Sequence, residues 1–553
     1  TGNMLSQLAG DSFTDTYNIL WQNEDHIFVV DERGFFSLNI KTLNRKNILG
    51  STLQGLLEST SLFFDNKTDR LWIGTTSNGL LCRDLGNGIL SEVSIKSFPK
   101  QPIQSITANS DSTLLVGIDG QGIWEIDKVK EKVLNIYKED VDNLFSLKGN
   151  GVYDIFYDEL NKRVWVCTYS GGLSYYDEES SDIIHITHLT NNQNSLNNNN
   201  VNKIIEDKKG NLWFATDNGV SCLNATTNEW TTYFANKHEQ AQVFLSISED
   251  SKGNIWAGTY SSGVYVIDGK SGKEIAHYSK DSGSELTNNY IFDIFKDSEG
   301  DLWLGGARGE TYCFIEKENK FKPFSYFPVY TFAELKPGYI ILACTNGLYL
   351  LNKQSTESEL WLDGLLVQDA LVINDNIWLV TSGNGLVRYN LSNDSVESFT
   401  TEAGLPSNYI NSILCDGEYL WLGTENGLCR FDPENHSVFI LSSVSKVFNA
   451  SFNHGSSFRL NNGDLILGTN KGAIRLNPKA VNPSKSDGRI FLQDFFVSGR
   501  SIRETPSLKL DTPLDSLHNI SLGYDQNTLT LQFLAIGPVT ANSKFSWKME
   551  GID

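Results

Sequence analysis

The sequence predicts an all-β chain of propeller blades, and three observations lead there. A segment of roughly forty residues recurs along most of the 553-residue chain, a period typical of propellers. A Trp or aliphatic residue returns at one position in each copy: Phe28, Trp72, Leu115, Trp165, Trp213, Trp256, Trp303, Leu342, Trp378, Trp421 and Ile466. A Gly follows that position at short range in every copy, from Gly34 through Gly219 and Gly427 to Gly472.

Each copy reads as an apolar strand, an acidic Gly-bearing turn, the Trp-bearing strand, a Gly turn and a third alternating strand. The segments VNKIIEDKKGNLWFATDNGVSCLN (201–224), VFLSISEDSKGNIWAGTYSSGVYVID (243–268), IFDIFKDSEGDLWLGGARGETYCF (291–314) and INSILCDGEYLWLGTENGLCRFD (410–432) carry it most clearly. A fourth strand follows, as in EWTTYF (229–234). Four short antiparallel strands make one blade, and a blade cannot bury both of its own faces, so copies must stack. The Trp is expected between adjacent blades. The small residue two places on faces the same side and leaves room for the neighbouring sheet, and the later Gly supplies the positive φ of a tight turn.

Propellers close with about four to eight blades, so eleven copies exceed one ring. The expected division is a partial N-terminal propeller of about four blades over 1–200, a seven-bladed propeller over 201–480, and an incomplete β-sandwich over 489–553. The polar tract TNNQNSLNNNN (190–200) is read as the junction, with a long interblade loop as the alternative, and VNPSKSDG (481–488) as a linker.

The formal net charge of −22 disfavours nucleic acid as a partner. The seven Cys are widely spaced with no CxxC, so neither a disulfide framework nor a zinc site is indicated. No apolar run has the length of a membrane span. The chain starts at Thr1 and stops in mid-pattern at Asp553, and is expected to be part of a longer protein.

No catalytic motif is present. HExxH, GxSxG and P-loop patterns are missing, and the eight His are scattered. The turns EDKKGN, EDSKGN and KDSEGD lack calcium-loop spacing and read as hairpin turns whose Asp bonds local backbone. No cofactor, metal or catalytic residue is therefore assigned. In an up-and-down blade the second-to-third-strand turn and the interblade connector share a face. That places Tyr169, Tyr260 and Arg308, in turns, on a rim with Tyr290 and Tyr409, in connectors. Aromatic faces suit the C–H surface of a sugar and Arg its hydroxyls or carboxylates, so these five are the candidate ligand-binding residues.

The pattern I-x-E-D-x-x-G-N-L-W-x-G-T-x-x-G-L resembles the two-component regulator propeller repeat. DFFVSG, GYDQNTLTLQF and WKMEGID near the end resemble the triple-tyrosine domain that follows such propellers. Together they resemble the extracytoplasmic sensor half of hybrid two-component regulators of Bacteroidetes-type bacteria. That resemblance implies two seven-bladed propellers, an immunoglobulin-like domain, a membrane anchor, and a cytoplasmic histidine kinase with a transcription-regulating output. It also implies a periplasmic, homodimeric, non-enzymatic sensor of oligosaccharides that controls polysaccharide-utilisation genes. The chain departs from the family in having eleven copies and a truncated last domain. A propeller-fold lyase or glycosidase, and a protein-docking scaffold, are the competing functions.

Overall fold

The computed structural model describes residues 16–31, 34–48, 59–93, 95–140, 143, 146–159, 162–177, 183–235, 243–306, 311–325, 328–441, 450–481, 489–504, 514, 521–524 and 526–536. Among them the structure is all-β, with short 3-10 turns at Thr401–Ala403 and Ile502–Glu504. No helix is long and apolar enough to cross a membrane. The chain divides into two compact units, Thr1–Ser181 and Asp182–Asp553.

The second unit contains a closed ring. Among the described residues it has seven four-stranded antiparallel sheets. Their innermost strands are Val201–Glu206, Phe244–Glu249, Asp293–Lys296, Val329–Lys336, Val367–Ile373, Ile410–Cys415 and Phe452–Arg459. Each packs on the next, and the last packs back on the first. We number the blades one to seven in this order.

The seventh blade explains the closure. Its three inner strands, Phe452–Arg459, Leu465–Thr469 and Gly472–Leu476, come from the end of the repeat. Its outer strand is Ile183–Ile186, paired antiparallel with Gly472–Leu476 in the register Ile183–Leu476 and Ile186–Ala473. Both ends of the ring thus share one sheet. Asn453 Nδ2 and Ser456 Oγ donate to the Val201 carbonyl at 2.8 and 2.9 Å, tying blade seven to blade one.

The unit boundary accordingly lies between residues 181 and 182, upstream of the expected 200. The tract 190–200 is a connector within the ring. Leu196 is buried with Val201, Phe214 and Ile466. Gly472 N donates to the Asn199 carbonyl, and His188 N to Asn199 Oδ1 at 2.7 Å. The polar composition that suggests a linker is spent on these bonds.

Trp and the acidic turn form one device. In blade one, Asp207 Oδ1 accepts from the backbone N–H groups of Lys209 and Asn211, both at 2.9 Å, closing the turn. Its Oδ2 accepts from Asn211 Nδ2 at 2.8 Å and from the Trp213 indole at 2.9 Å. Asp250 with Trp256, Asp297 with Trp303 and Asp416 with Trp421 repeat the indole bond at 3.2, 2.9 and 2.8 Å. A buried indole N–H needs a partner, and this carboxylate supplies it while the ring packs on the next blade. Trp213 and Ala215 lie among Phe244, Ile247 and Ile255 of blade two.

Small residues set the blade spacing. A Cβ at Gly258 would meet Ile291 of the next blade, and one at Gly423 would meet Phe452. Gly219, at φ +95°, is held in a left-handed turn where a side chain would collide with the Tyr233 carbonyl.

The first unit contains four blades in succession, with inner strands Thr16–Asn23, Ser59–Asp65, Ile103–Ala108 and Val152–Asp158 packed in that order. Its second and third blades are joined by a buried ion pair, Lys128 Nζ to Asp65 Oδ2 at 2.8 Å. With Asp65 so engaged, the Trp72 indole of that blade is buried without a partner.

Beyond the ring, Arg489–Val497, Arg500–Ser501 and Leu529–Ile536 form a three-stranded antiparallel sheet. Phe495, Val497, Ile502 and Leu514 make its core. The segment 544–553, which carries part of the triple-tyrosine resemblance, lies outside the described residues.

Because Ile183–Ile186 complete blade seven, a chain beginning at 182 should be more stable than one beginning at 201. We expect the shorter chain to unfold at lower urea concentration in a fluorescence titration. Equal midpoints would show that the closing strand adds nothing to ring stability.

Candidate functional site

The face of the ring that carries the connectors and the second-to-third-strand turns bears a cluster of aromatic rings. Tyr260, in the turn after Ile255–Thr259, is 52% exposed. Its ring meets Tyr290 edge-on at 5.7 Å and lies nearly parallel to Phe292 at 6.4 Å. Phe292 in turn approaches Tyr330 at 5.9 Å. Four rings from blades two, three and four thus form one shelf.

Of the five residues proposed from sequence, the structure brings Tyr260 and Tyr290 together. Tyr409, half-exposed, stands in the connector into blade six, bridged to Ser382 of blade five. Tyr169 belongs to the other unit, where it is 80% exposed and stacks on Tyr153 at 5.9 Å. With Gln104, Asp119 and Val152 these two tyrosines line a pocket of about 240 Å³. Arg308 lies outside the described residues.

Phe292 and Tyr330 were not visible as site residues in the sequence, because both read as apolar positions of an inner strand. The structure shows why they differ from core. At Val201, Phe244, Val329, Val367 and Ile410 the pairing between first and second strands shifts by one residue, leaving an extra residue just after the strand begins. Such a bulge re-aims the side chains beside it. Asn202, Leu245, Tyr330, Gln368 and Asn411 occupy this position, and Phe292 holds the corresponding place in blade three.

One residue further along, the inner strands of blades one, three and five carry charges, Lys203, Asp293 and Asp369. Lys203 of blade one reaches Asp293 of blade three at 2.9 Å, with the Lys203 side chain 19% exposed. Asp293 Oδ2 also accepts from Thr331 Oγ1 and Phe332 N, at 3.1 and 3.2 Å. Asp369 of blade five shares the field of this pair. Burial pulls Lys203 down, but the carboxylates of Asp293 and Asp369 outweigh it and hold the ammonium above its ordinary value. Burial pushes the Asp369 carboxyl up to about 6, against the opposing pull of Lys203. Two carboxylates therefore face one ammonium.

Two further kinds of group, thiols and clustered carboxylates, are held inactive by burial or by an ion pair. Burial pushes the thiols of Cys222 and Cys344 up to about 12, which leaves them without thiolate character. Among the described residues, the one carboxylate group close-set enough for a metal is Asp297, Glu299 and Asp301. Lys353 Nζ already sits on all three, at 2.6, 2.7 and 2.8 Å.

Comparison with known proteins bears on the same ring. The model of the two component regulator propeller matches at 195–218, 239–261, 285–308 and 404–426. Four of the ring's seven blades, the first, second, third and sixth, thus carry segments that match this repeat. Three of the four matches include or adjoin the shelf-bearing blades. The chain is also similar to histidine kinase P4 of Formosa agariphila, at 22% identity over 405 residues, which is 70% of this chain and 27% of that protein. It thus spans about a quarter of the length of this curated relative. Two extracellular domains of putative hybrid two component systems from B. thetaiotaomicron, BT4673 and BT3049, superpose with TM-scores of 0.47 and 0.31. Both are 19% identical and cover 95% of this chain, matching 72% and 84% of theirs.

Asp369 gives the ring a pH dependence whose sign follows from its burial. Its carboxyl binds a proton more readily folded than unfolded, so this contribution to stability is complete below about pH 4. It is lost as pH rises through about 6. Asp369→Asn is expected to raise the melting temperature at pH 7.5 and to change it little at pH 4. A variant that melts like the parent at both pH values would contradict this.

Lys353→Ala leaves three carboxylates facing one another. The expected loss is about 3–5 kcal/mol, and millimolar Ca²⁺ should recover part of it in the variant while leaving the parent's melting temperature unchanged.

Proposed function

We propose that this chain is the extracytoplasmic sensing region of a hybrid two-component regulator, with the aromatic shelf of its closed ring as the binding surface for a glycan-derived oligosaccharide. The observation that carries the reading is the shelf itself: Tyr260, Tyr290, Phe292 and Tyr330 present ring faces and edges on a propeller four of whose blades match the regulator-propeller repeat. Exposed aromatic faces bind the C–H surfaces of pyranose rings, and carboxylate and amide groups take their hydroxyls.

The similarity to a histidine kinase supports a signalling role. In this reading the sensing region lies in the periplasm and is carried by a membrane-anchored homodimer. Ligand binding shifts the dimer between signalling states because its affinity differs between them. The output is control of polysaccharide-utilisation genes, and the region itself performs no catalysis.

Calorimetric titration with a panel of oligosaccharides tests the reading. At least one should bind, and Tyr290→Ala should weaken it about tenfold, the loss typical of a central aromatic contact. A melting temperature that no member of the panel changes would overturn the glycan assignment.

A further inference from the structure

The channel of the ring contains a carboxylate with no ion pair of its own, since the nearby Lys203 is bonded to Asp293. Among the described residues, the buried carboxylates outside the channel are matched in one of two ways. Asp65 has Lys128, and Asp297 and Asp301 have Lys353. Asp207 and Asp250 have four N–H donors each. Asp369 has neither. Its Oδ1 accepts from Ala370 N at 2.9 Å and its Oδ2 from Ile413 N at 3.3 Å. Lys203, whose charge it feels, is bonded to Asp293 instead.

A second observation lies beside it. Gln368 is only 6% exposed, and its Oε1 is buried with no hydrogen-bond partner. The bulge spanning Val367 to Asp369 sets Gln368 and Asp369 against the same stretch of the partner strand, so both side chains leave on one side. The same bulge in blade one shows the direction. Asn202 bonds the Phe244 carbonyl of blade two at 2.8 Å, and Lys203 reaches on to blade three. Asp369 likewise turns to blade six, where Ile413 donates to it. Asp369 is partly open to solvent, and the unmatched amide oxygen of Gln368 belongs to the residue just before it, at the same bulge.

We propose that the ring channel is a receptor site for a primary ammonium group, held by the Asp369 carboxylate and Gln368 Oε1 and carried by a ligand that extends onto the aromatic shelf. It rests on the reading of the ring as a receptor and narrows the ligand to an amine-bearing one. An ammonium supplies what both groups lack: one positive charge and several N–H donors. The protein makes that contact internally, where the Lys203 ammonium meets Asp293 and the Lys353 ammonium meets its carboxylates. Phe292 immediately precedes Asp293, and Tyr330 precedes Thr331, which bonds Asp293. Aromatic faces favour a cation next to them.

The test uses the full chain at pH 7.5 and constant ionic strength, with methylammonium, 6-amino-6-deoxyglucose, glucose and calcium chloride as probes and the melting temperature and calorimetry as readouts. The two amines are expected to raise the melting temperature while glucose and calcium do not, with the amino sugar binding at least tenfold more tightly than glucose. Asp369→Asn should abolish that preference, and Gln368→Leu should reduce it several-fold, which keeps the test decisive if one variant fails to fold. Equal binding of glucose and its amino derivative, or a response to neutral oligosaccharides with none to amines, would overturn the ammonium site and leave the glycan reading standing. A response to calcium that Asp369→Asn removes would replace the ammonium with a metal ion. No response to any probe or oligosaccharide would overturn both.

Discussion

The packing of each blade on the next is the interaction on which the rest of this structure depends. A four-stranded sheet has two faces and no core of its own, so every blade borrows its neighbour's apolar surface. Trp213, Trp256 and Trp303 fill the space between consecutive blades, and the glycines of the Trp-bearing strands let the next inner strand approach. Such a series has two raw ends unless it closes. In the ring it closes through Ile183–Ile186, which makes the last blade a product of both chain ends.

Closure also creates the channel and its electrostatics. Seven inner strands converge, and the residues at and after their bulges are brought within reach of one another across the ring. Lys203 and Asp293 are ninety residues apart in sequence and bonded in space. A low-dielectric, narrow setting raises the cost of any charge left over, and Asp369 is that charge. The regular parts of the repeat hold the scaffold, while the positions at which the copies differ decide what the channel and shelf present.

The scaffold was largely legible in the sequence, because its physics is local. An Asp-x-x-Gly turn, a Trp six residues after the Asp and a later Gly are read from a single copy, and Asp207, Trp213 and Gly219 behave accordingly. The bond from the Trp indole to the turn carboxylate was less visible, since two features of known spacing do not announce that their side chains meet. The candidate site was legible only in part. Tyr260 and Tyr290 depart from turn chemistry and drew notice, whereas Phe292, Tyr330, Gln368 and Asp369 sit within apolar strand patterns where a bulge changes their direction.

From its residues alone, the chain determined the blade, its strand order, its turns and its stacking through aromatic rings, all set by interactions within about forty residues. Tertiary structure alone decided where the ring begins, which strand closes it and which charges share its centre. Those outcomes depend on contacts between segments about 250 residues apart, such as Val201 with Ser456. No local pattern encodes such a meeting, because it exists only once the intervening blades have turned the chain through a full circle.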